Sequence, residues 1–131
     1  MEHTRVASVH VWLAFPVHRI EFVYADTGAK SGYGSYSGEE QAPFALDPAR
    51  EWIVEVTHEE LRHEAIAGAG FALRTNLGRI AEWWPFWATR ERSATRVSRV
   101  AADNEAIVAI TIRDGALVGV VTETVDAARM N

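Results

Sequence analysis

The chain has 131 residues, of which 48% are hydrophobic and 24% charged, the proportions of an ordinary globular chain and a length that fits one domain, 1–131. Its formal net charge of −5 argues against a general nucleic-acid binder, which needs a basic surface to displace counterions from phosphates. It contains no cysteine, so disulfides and thiolate chemistry are excluded.

The start, Met1-Glu-His-Thr-Arg5, lacks the apolar run of a secretory signal, and no stretch approaches the roughly 20 apolar residues of a membrane span. A cytoplasmic location follows as the expectation, with a processed start or another secretion route left open. Val6 to Trp12 has the spacing of a strand, Pro16 interrupts it, and Ile20 begins the next, giving a hairpin with the apolar tip Trp12-Leu13-Ala14-Phe15-Pro16. Residues 26 to 38 carry Gly28, Gly32, Gly34 and Gly38 among Ser and Tyr, a composition that favours turns over a helix. These glycines either allow positive φ angles or let backbone N–H groups approach a ligand, but their order fits no nucleotide fingerprint.

Asp47-Pro48 is a standard helix start, and propensity alone would run a helix from Ala49 to His63. Against it, Trp52-Ile53-Val54-Glu55-Val56-Thr57 is dense in β-branched and aromatic residues, with Trp52, Val54 and Val56 alternating, so a strand is expected over 51–57. The helix alternative would give an α+β fold with a curved sheet over one helix. His58-Glu59-Glu60-Leu61-Arg62-His63 fails as a helical zinc motif, because its histidines are five apart rather than four. It is expected to be a solvated, charged loop tip. Phe71 to Thr75 alternates as a strand and breaks at Asn76-Leu77-Gly78, ahead of Trp83-Trp84-Pro85-Phe86-Trp87. Arg90, Arg92, Arg96 and Arg99 form a basic strip that is expected to be a solvated strand face, since Glu91 interrupts it. Ala106 to Val121 alternates around Asp114-Gly115 as a hairpin, and the tail from Asp126 to Asn131 is expected to fray.

One pattern recurs along the chain. The strands ending at Asp26-Thr27-Gly28, Asn76-Leu77-Gly78 and Asp114-Gly115 each close on Asp or Asn with a nearby glycine. The closing glycines, Gly28, Gly78 and Gly115, are unevenly spaced, so three similar sheet units around a shared core are expected rather than a uniform solenoid. No spacing marks an acid–base pair, a triad or a phosphate-binding loop. An enzyme, a metal site and a cofactor are therefore not expected.

These features together resemble the jacalin-related lectins over roughly positions 5 to 125. The aromatic strand Phe22-Val23-Tyr24 precedes a glycine loop, Gly34-Ser35-Tyr36-Ser37-Gly38. Phe44-Ala45-Leu46 and Glu51-Trp52-Ile53-Val54-Glu55-Val56 are similar to that family's Phe-x-Leu and Glu-aromatic-Ile-Val-x-Val segments. Phe71 to Asn76, followed by Trp83 to Trp87, is similar to its Leu-x-Phe-x-Thr-Asn strand and Tyr-Gly-Pro-Phe-Gly turn. The resemblance implies an all-β fold, a β-prism of three Greek-key antiparallel sheets with pseudo-threefold symmetry.

It also implies carbohydrate binding, with departures at both family sites. The principal site joins an N-terminal glycine-rich loop, absent here, to a late Gly-x-x-x-Asp loop, which here runs from Gly115 to Gly119 and so lacks the carboxylate that would orient a sugar through charge-assisted hydrogen bonds. Tight, simple mannose binding is not expected at that loop, where Asp114 is the nearest carboxylate. The second site joins the early hairpin tip to the next glycine loop. Here Gly34 to Gly38 is kept, but the tip has no Asp. Trp84 and Trp87 stand where the family turn has glycines. They are expected either to be buried or to form a stacking platform with His58, Glu60 and His63 as polar partners. The candidate carbohydrate-binding residues are therefore Gly34, Tyr36, Gly38, His58, Glu60, His63, Trp84, Trp87, Asp114 and Gly115. Two functional classes follow: a lectin-like module whose partner is a glycan or glycoconjugate, and an assembly domain in which exposed aromatics make a protein contact or a homodimer.

Overall fold

The computed structural model describes residues 4–14, 16–61, 66–84 and 96–125. Among them the chain is all-β, with β1 Val6–Leu13, β2 Val17–Tyr24, β3 Lys30–Gly34, β4 Glu39–Glu40, β5 Phe44–Ala45, β6 Ile53–Glu59, β7 Gly70–Thr75, β8 Ile80–Trp83, β9 Arg96–Val100, β10 Glu105–Arg113 and β11 Ala116–Thr124. The glycine-rich stretch expected to be turns contains β3. Glycine is tolerated there because β3 is an edge strand, ordered by its ladder with β2.

Antiparallel pairing builds one sheet in the order β3-β2-β1-β4, with β5 also pairing β1. A second runs β8-β7-β6, with β9 on the far side of β6. Each is a three-strand meander whose fourth element returns beside the first strand, the Greek-key order. The hairpin β10–β11 forms the third unit and meets β6 at a single register pair, Ile107↔Ile53.

Each recurring Asp/Asn-Gly signal falls on a hairpin turn. Gly28, Gly78 and Gly115 have φ of 69°, 83° and 78°. At the third turn Asp114 is also positive, at 52°, which is the backbone of a type I′ hairpin.

The three units share one core. Val9, Val11, Ile20 and Phe22 face Ile53, Val56, Phe71 and Leu73, and Ile107, Ile112 and Leu117 close the third side. Trp83 is buried and stacks on Phe71 with 5.8 Å between ring centroids. The tryptophan cluster thus begins in the core, and Pro85, Phe86 and Trp87 lie outside the described residues.

The strand, not the helix, follows Asp47-Pro48. The capping signal is used for one turn only: Asp47 Oδ1 accepts from Ala49 N, and Asp47 O accepts from Arg50 N and Glu51 N. The expected alternation of Trp52, Val54 and Val56 needs correction. A bulge between Ile53 and Glu55 in the β6–β7 register inserts one residue, so Ile53, Val56 and His58 turn inward together.

That inward turn also corrects the solvated-tip expectation for His58 and Glu59. Both belong to β6 and both are buried. His58 Nε2 lies 2.6 Å from Ala67 O, which pairs one of the two nitrogens of the buried imidazole, while Nδ1 has no hydrogen-bond partner among the described residues. Burial holds the His58 pKa below its ordinary value, outweighing the backbone bond that raises it. Arg62 and His63 lie outside the described residues.

Candidate carbohydrate site

Strand alternation puts Ser8, His10 and Trp12 of β1 on the outward face of the first sheet, and β2 contributes Arg19 and Glu21 beside them. The register aligns Trp12, Arg19 and Gly34 in one cross-strand row, and His10, Glu21 and Gly32 in the next. A side chain at Gly32 would meet the Arg19 guanidinium at 2.7 Å, so the glycine leaves room for that arginine to lie across the sheet.

The loop after β3 folds back on this face. Gly34 has φ of 107° and Gly38 of 82°, and a Cβ at either would strike backbone carbonyls of the β1–β2 hairpin, His18 O and Leu13 O respectively. Glycine is required at both positions, because the loop backbone is seated directly against the hairpin. Phe15, at the hairpin tip, is outside the described residues.

Tyr36 sits at the centre of this loop with 62% of its surface exposed. Its hydroxyl donates to Glu21 Oε2 at 2.5 Å, the Arg19 guanidinium lies 4.2 Å from its ring centroid, and Trp12 meets it edge-on at 5.0 Å. Glu21 is only 2% exposed. Its Oε2 also accepts from Arg19 Nε and Nη2 at 3.0 and 2.9 Å, and Lys30 Nζ lies 3.9 Å from Oε1. Burial by itself raises the Glu21 carboxyl, but the bonds from Tyr36 and Arg19 and the charges of Arg19 and Lys30 outweigh it and hold the pKa below the usual value. The same carboxylate, by accepting the phenol hydrogen, raises the Tyr36 pKa. The result is an aromatic surface fixed by an ionised anchor, with amphipathic and hydrogen-bonding groups on one face.

Gly34, Tyr36 and Gly38 are therefore brought together, and with them come Trp12, Arg19 and Glu21. The last two were missed because a charged pair at i, i+2 in a strand reads as ordinary solvated alternation. The hairpin tip has no carboxylate, as its sequence shows, and the carboxylate on this face is Glu21 of β2, buried beneath Tyr36.

The other candidates lie elsewhere. Trp84 lies over Gly70, where any Cβ would overlap its indole, and the Arg96 guanidinium stands 4.7 Å from its ring centroid. Its indole N–H donates to Glu82 Oε2 at 3.0 Å, and Arg96 Nη2 donates to the buried Glu59 at 2.8 Å. Trp84 is thus half-buried, held by Glu82 and Arg96, and lines a surface depression with Glu55, Thr57 and Arg74. His58 faces the core on the opposite side of β6 from Glu59. The segment after β6 docks on the β10–β11 turn, with Leu61 N donating to Gly115 O at 3.1 Å, which sets Glu60 close to Asp114 and Gly115. Gly119 is paired with Thr111 inside β11, not on a loop, and a Cβ there would meet nothing within 4 Å. His63 and Trp87 fall outside the described residues. Among the described residues no group of three or more His, Cys, Asp or Glu is arranged to hold a metal ion, and no helix is long and apolar enough to cross a membrane.

No protein-family model matches this chain, and no curated protein matches it. Solved structures do. Wild-type Malaysian banana lectin is similar with a TM-score of 0.63 at 22% identity, over 92% of this chain and 84% of that one. AcmJRL, a mannose-binding jacalin-related lectin from Ananas comosus, is similar with a TM-score of 0.62 at 16% identity, over 95% of this chain and 86% of that one. With two Greek-key sheets and a hairpin closing on one core, the chain has the β-prism fold of the jacalin-related lectins.

Proposed function

We propose that this chain, as one lectin-like domain, recognises glycans non-catalytically through the outward face of the first sheet, with Tyr36 and Trp12 as the aromatic contact, and the backbone of Gly34 to Gly38 and Arg19 as the polar partners. The observation that carries the reading is the fixation of an exposed Tyr36 by the buried Glu21. Holding a solvent-facing ring by a charge-assisted bond and a guanidinium lowers the ordering cost of binding, as a recognition surface requires. The mannose binding of AcmJRL lends the scaffold a precedent. Recognition is placed on the first sheet rather than at Asp114 and Gly115, because Gly119 offers no acceptor in the hairpin that follows. Titration with a panel of mono- and oligosaccharides, followed by amide chemical shifts, tests the site: shifts are expected at Gly34, Tyr36 and Gly38. Shifts confined to Asp114 and Gly115 would move the site, and none at any residue would remove it.

A second reading, assembly, is favoured by β11. Val118 and Val121 are exposed on it, and β11 pairs only with β10 among the described residues. Unpaired apolar edges of this kind invite strand addition by another chain. Light scattering over a concentration series decides this reading: a mass that stays that of one chain removes it.

A further inference from the structure

The outward face of the first sheet also carries a hydrogen-bonded chain of Ser8, His10 and Glu40. Ser8 and His10 are two residues apart on β1 and so share a face, while Val9 and Val11 between and beyond them are buried. Pairing of β4 with β1 sets Glu40 opposite Trp12, diagonal to His10. Ser8 Oγ lies 2.9 Å from His10 Nε2, and His10 Nδ1 lies 3.2 Å from Glu40 Oε2.

The chemistry orders these bonds. A carboxylate can only accept, so the imidazole hydrogen belongs on Nδ1, donated to Glu40; Nε2 then offers its lone pair to the Ser8 hydroxyl, which donates. Nucleophile, base and orienting acid stand in the sequence that activates serine in acyl transfer. The His10 ring is further held by stacking on Trp12, with centroids 6.3 Å apart and planes at 30°. Lys30, in the same cross-strand row as Ser8, places an ammonium group on that face. Ser8 is half-buried, and the His10 side chain is 21% exposed and that of Glu40 49%, so the chain lies at the surface rather than in the core.

We propose that Ser8 is an activated nucleophile that takes acyl groups from small, surface-accessible carboxylic esters. Ser8 Oγ attacks the ester carbonyl carbon while His10 Nε2 takes the hydroxyl proton. Collapse of the tetrahedral adduct breaks the bond to the alcohol, which leaves with the proton returned by His10, and the acyl group stays as an ester on Ser8. Water then attacks that ester and gives a proton to His10. The carboxylic acid departs, and His10 reprotonates Ser8. Glu40 is a positioning residue, holding the tautomer that keeps Nε2 basic. This activity shares Trp12 and the sheet face with the proposed glycan surface but needs no bound glycan, and its test reads it separately.

The test is acetylation by p-nitrophenyl acetate, read by intact-protein mass and peptide mapping. The native protein is expected to carry a single acetyl group on Ser8, formed at least about 100-fold faster than in His10→Gln, the lower end of what a positioned base contributes. Glu40→Gln is expected to fall between the two, and Ser8→Ala to lose the adduct. The same comparison made on the native chain with and without urea needs no variant: the Ser8 rate is expected to fall at least about 100-fold on unfolding. Absence of a Ser8 adduct, or an equal rate in the unfolded chain, overturns the proposal. So does an equal rate in a folded His10→Gln.

Discussion

Removing Glu21 and Arg19 together should cost less than the sum of removing each alone. Glu21→Ala deletes the acceptor of two Arg19 N–H groups and of the Tyr36 hydroxyl. It leaves the guanidinium, whose side chain is only 15% exposed, with Gly34 O as its remaining described partner. Breaking a buried pair from one side costs about 3 kcal/mol, because an uncompensated charge stays behind. At about 4 °C per kcal/mol for a chain of this size, the thermal midpoint should fall by about 12 °C. The double variant Arg19→Ala with Glu21→Ala removes the stranded charge as well as its partner. It should therefore be less destabilised than the sum of the two singles, with a coupling of about 1–3 kcal/mol. Urea denaturation of the four proteins gives the cycle directly. Additive single effects, or a Glu21→Ala midpoint within about 2 °C of wild type, would show that the anchor under Tyr36 is not the coupled pair described here.

The remaining expectations concern acidity, packing and the lost family site. Because the His58 pKa is lowered in the fold, its stabilising neutral form is fully present above about 6.5, and stability is lost as pH falls through the lower folded value. Glu21 behaves with the same sign lower on the scale: its contribution is present above the ordinary carboxylate value of 4.5 and is lost as pH falls through its depressed one. Unfolding midpoints measured down the pH scale should thus drop in two stages, and in His58→Gln the earlier stage should vanish; a midpoint flat from neutrality to pH 5 contradicts the burial of His58. Gly70→Ala should destabilise by about 1–3 kcal/mol by overpacking Trp84, and the penalty should largely disappear in a Trp84→Ala background; equal penalties in both backgrounds would mean the indole does not lie on Gly70. Gly119→Asp should fold with a midpoint close to wild type, since its Cβ enters open space, yet it should gain no mannose affinity in calorimetry, because a carboxylate alone does not rebuild a site whose glycine loop is missing.

Much of the architecture was legible where a local rule has no competitor. Asp114-Gly115 demands positive φ at both positions, and the same punctuation at Asp26 to Gly28 and Asn76 to Gly78 marked the other turns. The β-branched density of residues 52–57 outweighed the Asp47-Pro48 capping signal, which the chain uses for a single turn. What local reasoning could not reach were features set by register and burial. The bulge at Val54 turns Ile53 and His58 inward with Val56, and nothing in His58-Glu59-Glu60-Leu61-Arg62-His63 distinguishes a core histidine from a solvated one. Glu21 looks like an outward strand residue until Tyr36, 15 positions away, closes over it. The Ser8–His10–Glu40 chain was invisible for the same reason, since Glu40 reaches His10 only through the pairing of β4 with β1. At the candidate site the glycine loop could be read from the sequence and its carboxylate could not.

The central claim is that the fixed Tyr36 surface of the first sheet recognises glycans. A glycan array probed in parallel with wild type, Tyr36→Ala and Trp84→Ala measures it most directly. The account predicts that wild type and Trp84→Ala bind the same glycans while a folded Tyr36→Ala binds none of them. Binding retained by Tyr36→Ala and lost by a folded Trp84→Ala would place recognition on the second sheet and contradict the account.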